Sequence, residues 1–127
     1  MHNKYAPPSN LQLSVSGVMQ HNISNEGTDF VPQFACNAEG HAVAVWNQSD
    51  GEYHYIWAAR YAPGAGWSIS EQLEDNIGNA FGPHAAINSD GNIMVMWYQD
   101  DGTYSNVWVC SFTVGVGWGE PQLLQVY

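Results

Sequence analysis

The tryptophans of this chain recur at one fixed spacing, and that spacing limits the possible folds more than any other feature. All six fall into three pairs whose members are 51 residues apart. The pairs are Trp46 and Trp97, Trp57 and Trp108, and Trp67 and Trp118. The same offset aligns further residues, among them Pro32 with Pro83, Asp50-Gly51 with Asp101-Gly102, and Gly66 with Gly117. A period near 50 residues is typical of propeller blades, solenoids and similar arrays.

Each copy of the repeat has the pattern of antiparallel strands. The segments HAVAVWNQ and NIMVMWYQ are apolar at nearly every position, which is typical of strands covered on both faces. Asn, Asp and Gly residues bound these segments and indicate tight turns. We predict four strands in the first copy, over residues 33–37, 42–48, 55–62 and 67–74, and their counterparts 51 residues later.

A four-stranded sheet that is apolar on both faces needs a neighbour on each side, as a blade has in a β-propeller. We therefore expect an all-β fold with two four-stranded antiparallel propeller blades, residues 32–82 and 83–127. We expect residues 1–31 to be an N-terminal extension in which 10–24 supplies an extra outer strand or the start of a third blade, or pairs with a neighbouring subunit. Because two blades cannot close a ring, we expect copies to assemble into a homo-oligomer, most simply a trimer with six blades. A monomer would favour a two-sheet sandwich instead.

Composition excludes several classes of partner. The chain has 127 residues, 45% of them apolar, which suits one domain. Twelve acidic residues face only two basic ones, Lys4 and Arg60, and the formal net charge is -10. Phosphate binding needs a positive surface, so we expect neither nucleic acid nor an anionic membrane as a partner. No stretch of the sequence has the pattern of a membrane span or of a secretory signal. Low Lys with many aromatic, Asn, Gly and Ser residues is typical of secreted or periplasmic binding proteins.

The reactive residue types show no catalytic or metal-binding pattern. Cys36 aligns with Ile87, and Cys110 aligns with Ala59, which favours two buried free thiols, although a disulfide between them remains possible. The histidines lack zinc spacing, and the acidic turns lack the spaced ligand run of a calcium loop. No activated nucleophile, phosphate loop or dinucleotide fingerprint is present. We therefore expect no enzyme activity, no cofactor and no metal.

A short motif between the third and fourth predicted strands of each copy resembles a motif of known proteins. Gly64-Ala65-Gly66-Trp67 and Gly115-Val116-Gly117-Trp118 follow a strand, an Asx-Gly turn and a second strand. This arrangement resembles the short-repeat propellers of bacteria and fungi, in particular two-bladed sugar-binding lectins that trimerise into six blades. It is also similar to longer propeller repeats of exported bacterial proteins of unknown role. The lectin resemblance implies a sugar stacked on the tryptophan after G-x-G, with its hydroxyls held by an arginine and a glutamate. The tryptophans match, whereas the strands that should supply the arginine and glutamate carry apolar residues at those positions.

Two interpretations of function remain open. In the first, the chain is a non-enzymatic module that recognises carbohydrate, with aromatic platforms and one forked donor. The candidate ligand-binding residues are Trp67, Trp118, Arg60, Tyr61 and Glu71. In the second, the tryptophans only pack adjacent repeats together, Arg60 pairs with Glu71 or Glu52, and the chain is a structural or protein-interaction propeller segment.

Overall fold

The computed structural model describes residues 32–75 and 78–125, and every regular element in these ranges is a β-strand. No helix of this described part is long and apolar enough to cross a membrane. The extra strand expected within residues 10–24 lies outside the described residues.

Sheet 1 is built from the first copy of the repeat. Its strands are β1 (Gln33–Cys36), β2 (Ala42–Ser49), β3 (His54–Ala62), β4 (Gly66–Trp67) and β5 (Glu71–Gln72). β1, β2 and β3 pair in order, and β4 and β5 both pair with β3, so they form one interrupted fourth strand. The interruption divides the strand expected over residues 67–74. It occurs at Ser68, whose side chain accepts a hydrogen bond from the Arg60 amide.

Sheet 2 repeats this order with the second copy. Its strands are β6 (Asn79–Ile87), β7 (Ile93–Asp100), β8 (Ser105–Thr113), β9 (Gly117–Trp118) and β10 (Gln122–Gln125). β6 begins before Pro83, which lies at an irregularity in the pairing between Phe81 and His84. A proline is tolerated there because the pairing is already interrupted. The expectation of an all-β fold with two antiparallel sheets, each four strands wide, is therefore confirmed.

The hairpin turns are identical in the two copies. Asn37 Oδ1 accepts hydrogen bonds from the amides two and four residues later, and Asn88 Oδ1 does the same. Asp50 and Asp101 each accept from the amides two and three residues later. These backbone donors hold the pKa of both carboxyl groups below the ordinary value. The acidic turns are thus explained by turn geometry, as their Asx-Gly sequences predict.

The main hydrophobic core lies between the two sheets. One face of sheet 1, the inner face, contributes Val43, Val45, Ile56, Ala58 and Leu73. The inner face of sheet 2 contributes Ala80, Ile93, Val95, Trp97, Cys110 and Phe112. A second cluster, of Ala44, Trp46 and Ala59 with Phe34, Trp57 and Trp67, lies on the outer face of sheet 1. Its three central residues are at most 1% exposed, so both faces of sheet 1 are buried.

The 51-residue offset shows that the two sheets stack head to tail. All six residues of the outer-face cluster of sheet 1 have their counterparts in the core between the sheets. Trp46, for example, corresponds to Trp97, and Ala59 corresponds to Cys110. The tryptophan face of the second repeat therefore packs against the opposite face of the first. Successive units of a repeat array pack in this way, whereas a symmetric sandwich would join equivalent faces.

The remaining face of sheet 2, the open face, is apolar and exposed. Along β7, residues alternate between buried and exposed, and the exposed set includes Met94, Met96 and Tyr98. Their side chains are 56%, 42% and 47% exposed, and neighbouring Phe81 is 41% exposed. Met94 and Met96 are the counterparts of Val43 and Val45, which are fully buried between the sheets. The same surface of the repeat is thus covered in the first copy and uncovered in the second.

Cys36 and Cys110 are not joined by a disulfide, and Cys110 is buried whereas Cys36 is half-buried. Cys110 Sγ donates to the Gly119 carbonyl oxygen at 3.2 Å. Burial raises the pKa of the Cys110 thiol to about 11. Since the thiolate is the reactive form, this thiol should be inert at neutral pH.

We expect iodoacetamide at neutral pH to label Cys36 in the folded protein and to leave Cys110 unmodified. Peptide mass spectrometry of the alkylated protein measures the two sites separately. Addition of urea is the control, because unfolding removes the burial and should make both thiols react at similar rates. Equal labelling of both sites without urea would contradict the buried position of Cys110.

Candidate functional site

The candidate site lies at the junction between the sheets, where Arg60 of β3 meets the second repeat. The Arg60 guanidinium carbon is 3.8 Å from the centroid of the Phe112 ring in β8. This is a cation–π contact, which also shields part of the guanidinium from water. Arg60 Nε is buried and has no hydrogen-bond partner among the described residues. The junction therefore holds a forked cation with donor capacity that the surrounding protein does not use.

An indole lies next to Phe112, and a carboxylate lies on the same sheet face as Arg60. The Trp118 ring is 5.4 Å from the Phe112 ring, centroid to centroid, in an edge-on arrangement with an interplanar angle of 63°. Glu71 lies opposite Ala58 in the register of β5 and β3, so it shares the sheet face of Arg60. Ala58 and Arg60 are two positions apart on β3, which makes Glu71 and Arg60 diagonal neighbours. The Glu71 side chain is exposed.

Trp67 and Tyr61 are separated from this junction by sheet 1 itself. Tyr61 follows Arg60 directly, so its side chain points to the opposite, outer face of the sheet. There Trp67 packs edge-on against Tyr61, with ring centroids 5.4 Å apart, and against Phe34 at 6.3 Å. Trp67 Nε1 is buried without a hydrogen-bond partner. Of the five predicted site residues, Arg60 and Trp118 thus both lie against Phe112, and Glu71 shares the sheet face of Arg60.

Sequence reasoning missed Phe112, which links Arg60 to Trp118. The signal that could have identified it is its alignment with Tyr61, since both precede a G-x-G-W motif by the same distance. The Tyr61–Trp67 and Phe112–Trp118 pairs have the same centroid distance and the same interplanar angle. An aromatic pair at this position is therefore a feature of both copies of the repeat. The pair at the junction differs from the pair on the outer face of sheet 1 because Arg60 lies over its Phe112 ring.

The set of Arg60, Glu71, Phe112 and Trp118 contains one carboxylate and no histidine or cysteine. Within residues 32–75 and 78–125, no group of three His, Cys, Asp or Glu side chains is arranged to bind a metal ion. The chemistry that this set of side chains offers is hydrogen bonding from a guanidinium, hydrogen-bond acceptance by a carboxylate and contact with aromatic surface.

Comparisons with known proteins add no assignment to this geometry. No protein-family model matches the chain, and neither the curated proteins nor the solved structures contain a significant match.

Proposed function

We propose that this chain is a non-enzymatic carbohydrate-binding module built from propeller-type repeats, with its ligand site at the junction of the two sheets. The observation that carries the proposal is the position of the Arg60 guanidinium, which lies on Phe112 next to Trp118. The head-to-tail stacking of the two repeats supports the propeller-type interpretation, because blades of a propeller stack with the same polarity.

The chemistry of the junction suits a sugar. A guanidinium presents several donors in a fixed plane and can bind two neighbouring hydroxyl groups, and a carboxylate accepts hydrogen bonds from hydroxyls. An indole offers flat apolar surface to the C–H face of a sugar ring. Binding sites for small molecules commonly combine aromatic walls with a few polar groups in this way.

Because the two repeats differ in the residues that form this site, each chain should carry one site. Arg60 corresponds to Ser111, and Glu71 corresponds to Gln122. A site formed by the open face of sheet 2 would therefore lack both the cation and the carboxylate. Multivalent recognition would accordingly require several copies of the chain.

Replacement of Trp118 by alanine should weaken glycan binding by about tenfold or more, since lost stacking and lost apolar contact together cost roughly 1.4 kcal/mol or above. A glycan array identifies the ligand, and titration calorimetry measures the affinity of each variant. Trp67→Ala is the matched control, because it removes the same side chain from the same motif on the other side of sheet 1. Arg60→Ser, which introduces the residue found at the counterpart position, should abolish selectivity along with affinity.

A chain that binds no glycan on the array would refute this proposal. It would then favour the second candidate, a structural or protein-interaction segment without a sugar site. The observation that favours this alternative is the edge-on packing of both indoles against an aromatic neighbour, which Trp67 shows equally on the outer face.

A further inference from the structure

We propose that the open face of sheet 2 binds a second copy of this chain, so that two identical open faces pack against each other around a two-fold axis near Met96. This interaction surface is distinct from the ligand junction, which lies on the other side of sheet 2. The proposal rests on four observations: the burial of the same surface in the first repeat, the uncharged residues Met94, Met96 and Tyr98 at the centre of the open face, its self-complementary shape, and the burial of the central residues on the outer face of sheet 1.

The repeat itself indicates that this surface is built for burial. Its counterpart in sheet 1 carries Val43, Val45 and Leu73, all buried between the sheets. In sheet 2 the same positions are Met94, Met96 and Leu124, which are 56%, 42% and 60% exposed. Methionine is flexible and polarisable, and it is common on surfaces that bind other proteins.

Charge favours this face as the contact between two copies. Each chain carries a formal net charge of -10, so two copies repel each other wherever their acidic residues meet. Along the central strand of the open face, Met94, Met96 and Tyr98 carry no charge, and Asp100 lies at the end of that strand. The ionisable residue opposite Met96 on this face is His84 of β6. Pairing through this surface removes apolar side chains from water and keeps most carboxylates away from the contact.

The open face is self-complementary. At one end Phe81 and Tyr98 form a stacked pair, with ring centroids 6.0 Å apart and an interplanar angle of 24°. At the other end a depression of about 420 Å³ lies beside Ala86, Met94 and Ser111. Met96 lies midway on β7 between these two ends. A two-fold axis that runs across the strands at Met96 places the aromatic pair of each copy over the depression of its partner.

The outer face of sheet 1 explains why a pair is favoured over the six-bladed trimer expected from the repeat alone. A ring of several chains, stacked as the two sheets stack within one chain, would need the outer face of sheet 1 to pack against the open face of another copy. The central residues of that outer face, Ala44, Trp46 and Ala59, are already at most 1% exposed within one chain. Of the two outward sheet faces in the described residues, the open face of sheet 2 has the more exposed centre, and we place the partner there. A single such surface joins two copies and then closes.

The test is the molar mass of the full chain in solution over a range of concentrations, by sedimentation equilibrium. We expect a reversible dimer. Met96→Glu should weaken dimerisation at least about a hundredfold, because it places two like charges across the axis in a desolvated contact. Ile69→Glu is the matched control, since Ile69 is 81% exposed off this face and its counterpart in the second repeat is Glu120. Circular dichroism checks that both variants remain folded.

A second variant tests the two-fold arrangement. Met96→Cys should form a disulfide with its own copy across the axis under mild oxidation, giving a covalent dimer on a non-reducing gel. The unsubstituted chain under the same oxidant controls for Cys36, and the Cys110 thiol is kept unreactive by burial. A monomer at every concentration, an assembly larger than two, or an unlinked Met96→Cys dimer would each overturn the proposal.

Discussion

Replacement of Gly78 by alanine is expected to lower the free energy of unfolding by about 3 to 5 kcal/mol, because backbone strain and steric overlap add together. Gly78 has a φ of +106°, in the left-handed region that side chains other than glycine rarely adopt. A Cβ atom built on it would overlap the Asp100 carbonyl oxygen, which belongs to the backbone of β7. Backbone cannot rotate away as a flexible side chain can. Urea denaturation followed by circular dichroism measures the loss.

Gly51→Ala is the matched control for this prediction. Gly51 has a similar φ of +100°, but a Cβ there would meet no atom within 4 Å. Its substitution should therefore cost only the conformational strain, about 1 to 2 kcal/mol. A Gly78→Ala protein no less stable than Gly51→Ala would show that β6 enters sheet 2 by a different path.

The sequence was sufficient to predict the two central strands and the turns of both copies, whereas β6 begins at Asn79, before the predicted range of 84–88. The 51-residue offset and the Asx-Gly turns predicted the hairpins, because an Asn or Asp side chain that caps its own turn is a local interaction. β2 and β3 begin and end within one residue of the expected bounds. The fourth strand was predicted less well, since it is divided in both copies, after Trp67 in the first and after Trp118 in the second, and no residue type at the break is shared.

Apolar patterning could not show which faces are covered. The segments around Trp46 and Trp97 are both apolar at successive positions, and both were interpreted as buried on two sides. In the structure β2 is buried along both faces, whereas β7 alternates between buried and exposed residues. Residue polarity reports how favourable burial would be, and a neighbouring sheet decides whether it happens. Met94 and Met96 are therefore exposed despite their apolar character.

The sequence predicted residues of the candidate site, but not which of them lie on the same face of the sheet. Arg60 and Tyr61, which are adjacent in sequence, were both predicted to bind the same ligand. Adjacent residues of a strand point to opposite faces, so this pairing could have been rejected from the strand assignment alone. The contact between Arg60 and the second repeat is different, because it depends on how the sheets stack. No spacing within β3 contains that information.

Replacement of Trp97 by alanine is expected to destabilise the protein by about 4 kcal/mol, within the range for removing a buried tryptophan. Trp97 is 1% exposed and lies in the core between the two sheets, so its removal leaves a cavity that both sheets border. Its indole Nε1 also donates to Gln99 Oε1 at 3.1 Å. Gln99 is itself only 2% exposed, and the substitution would leave its carbonyl oxygen buried without that donor.

Two further variants, measured by the same urea denaturation, separate the effects of ring volume, of the indole hydrogen bond and of position in the core. Trp97→Phe keeps most of the ring volume and removes the donor, so it should cost about 1 to 2 kcal/mol less than Trp97→Ala. Trp118→Ala removes an indole that is half-buried at the edge of the same core, and should cost roughly half as much as Trp97→Ala. Equal losses for Trp97→Ala and Trp118→Ala would mean that the two indoles are equally buried. The head-to-tail stacking would then be wrong, because it is this stacking that places Trp97 at the centre of the interface between the sheets and Trp118 at its margin.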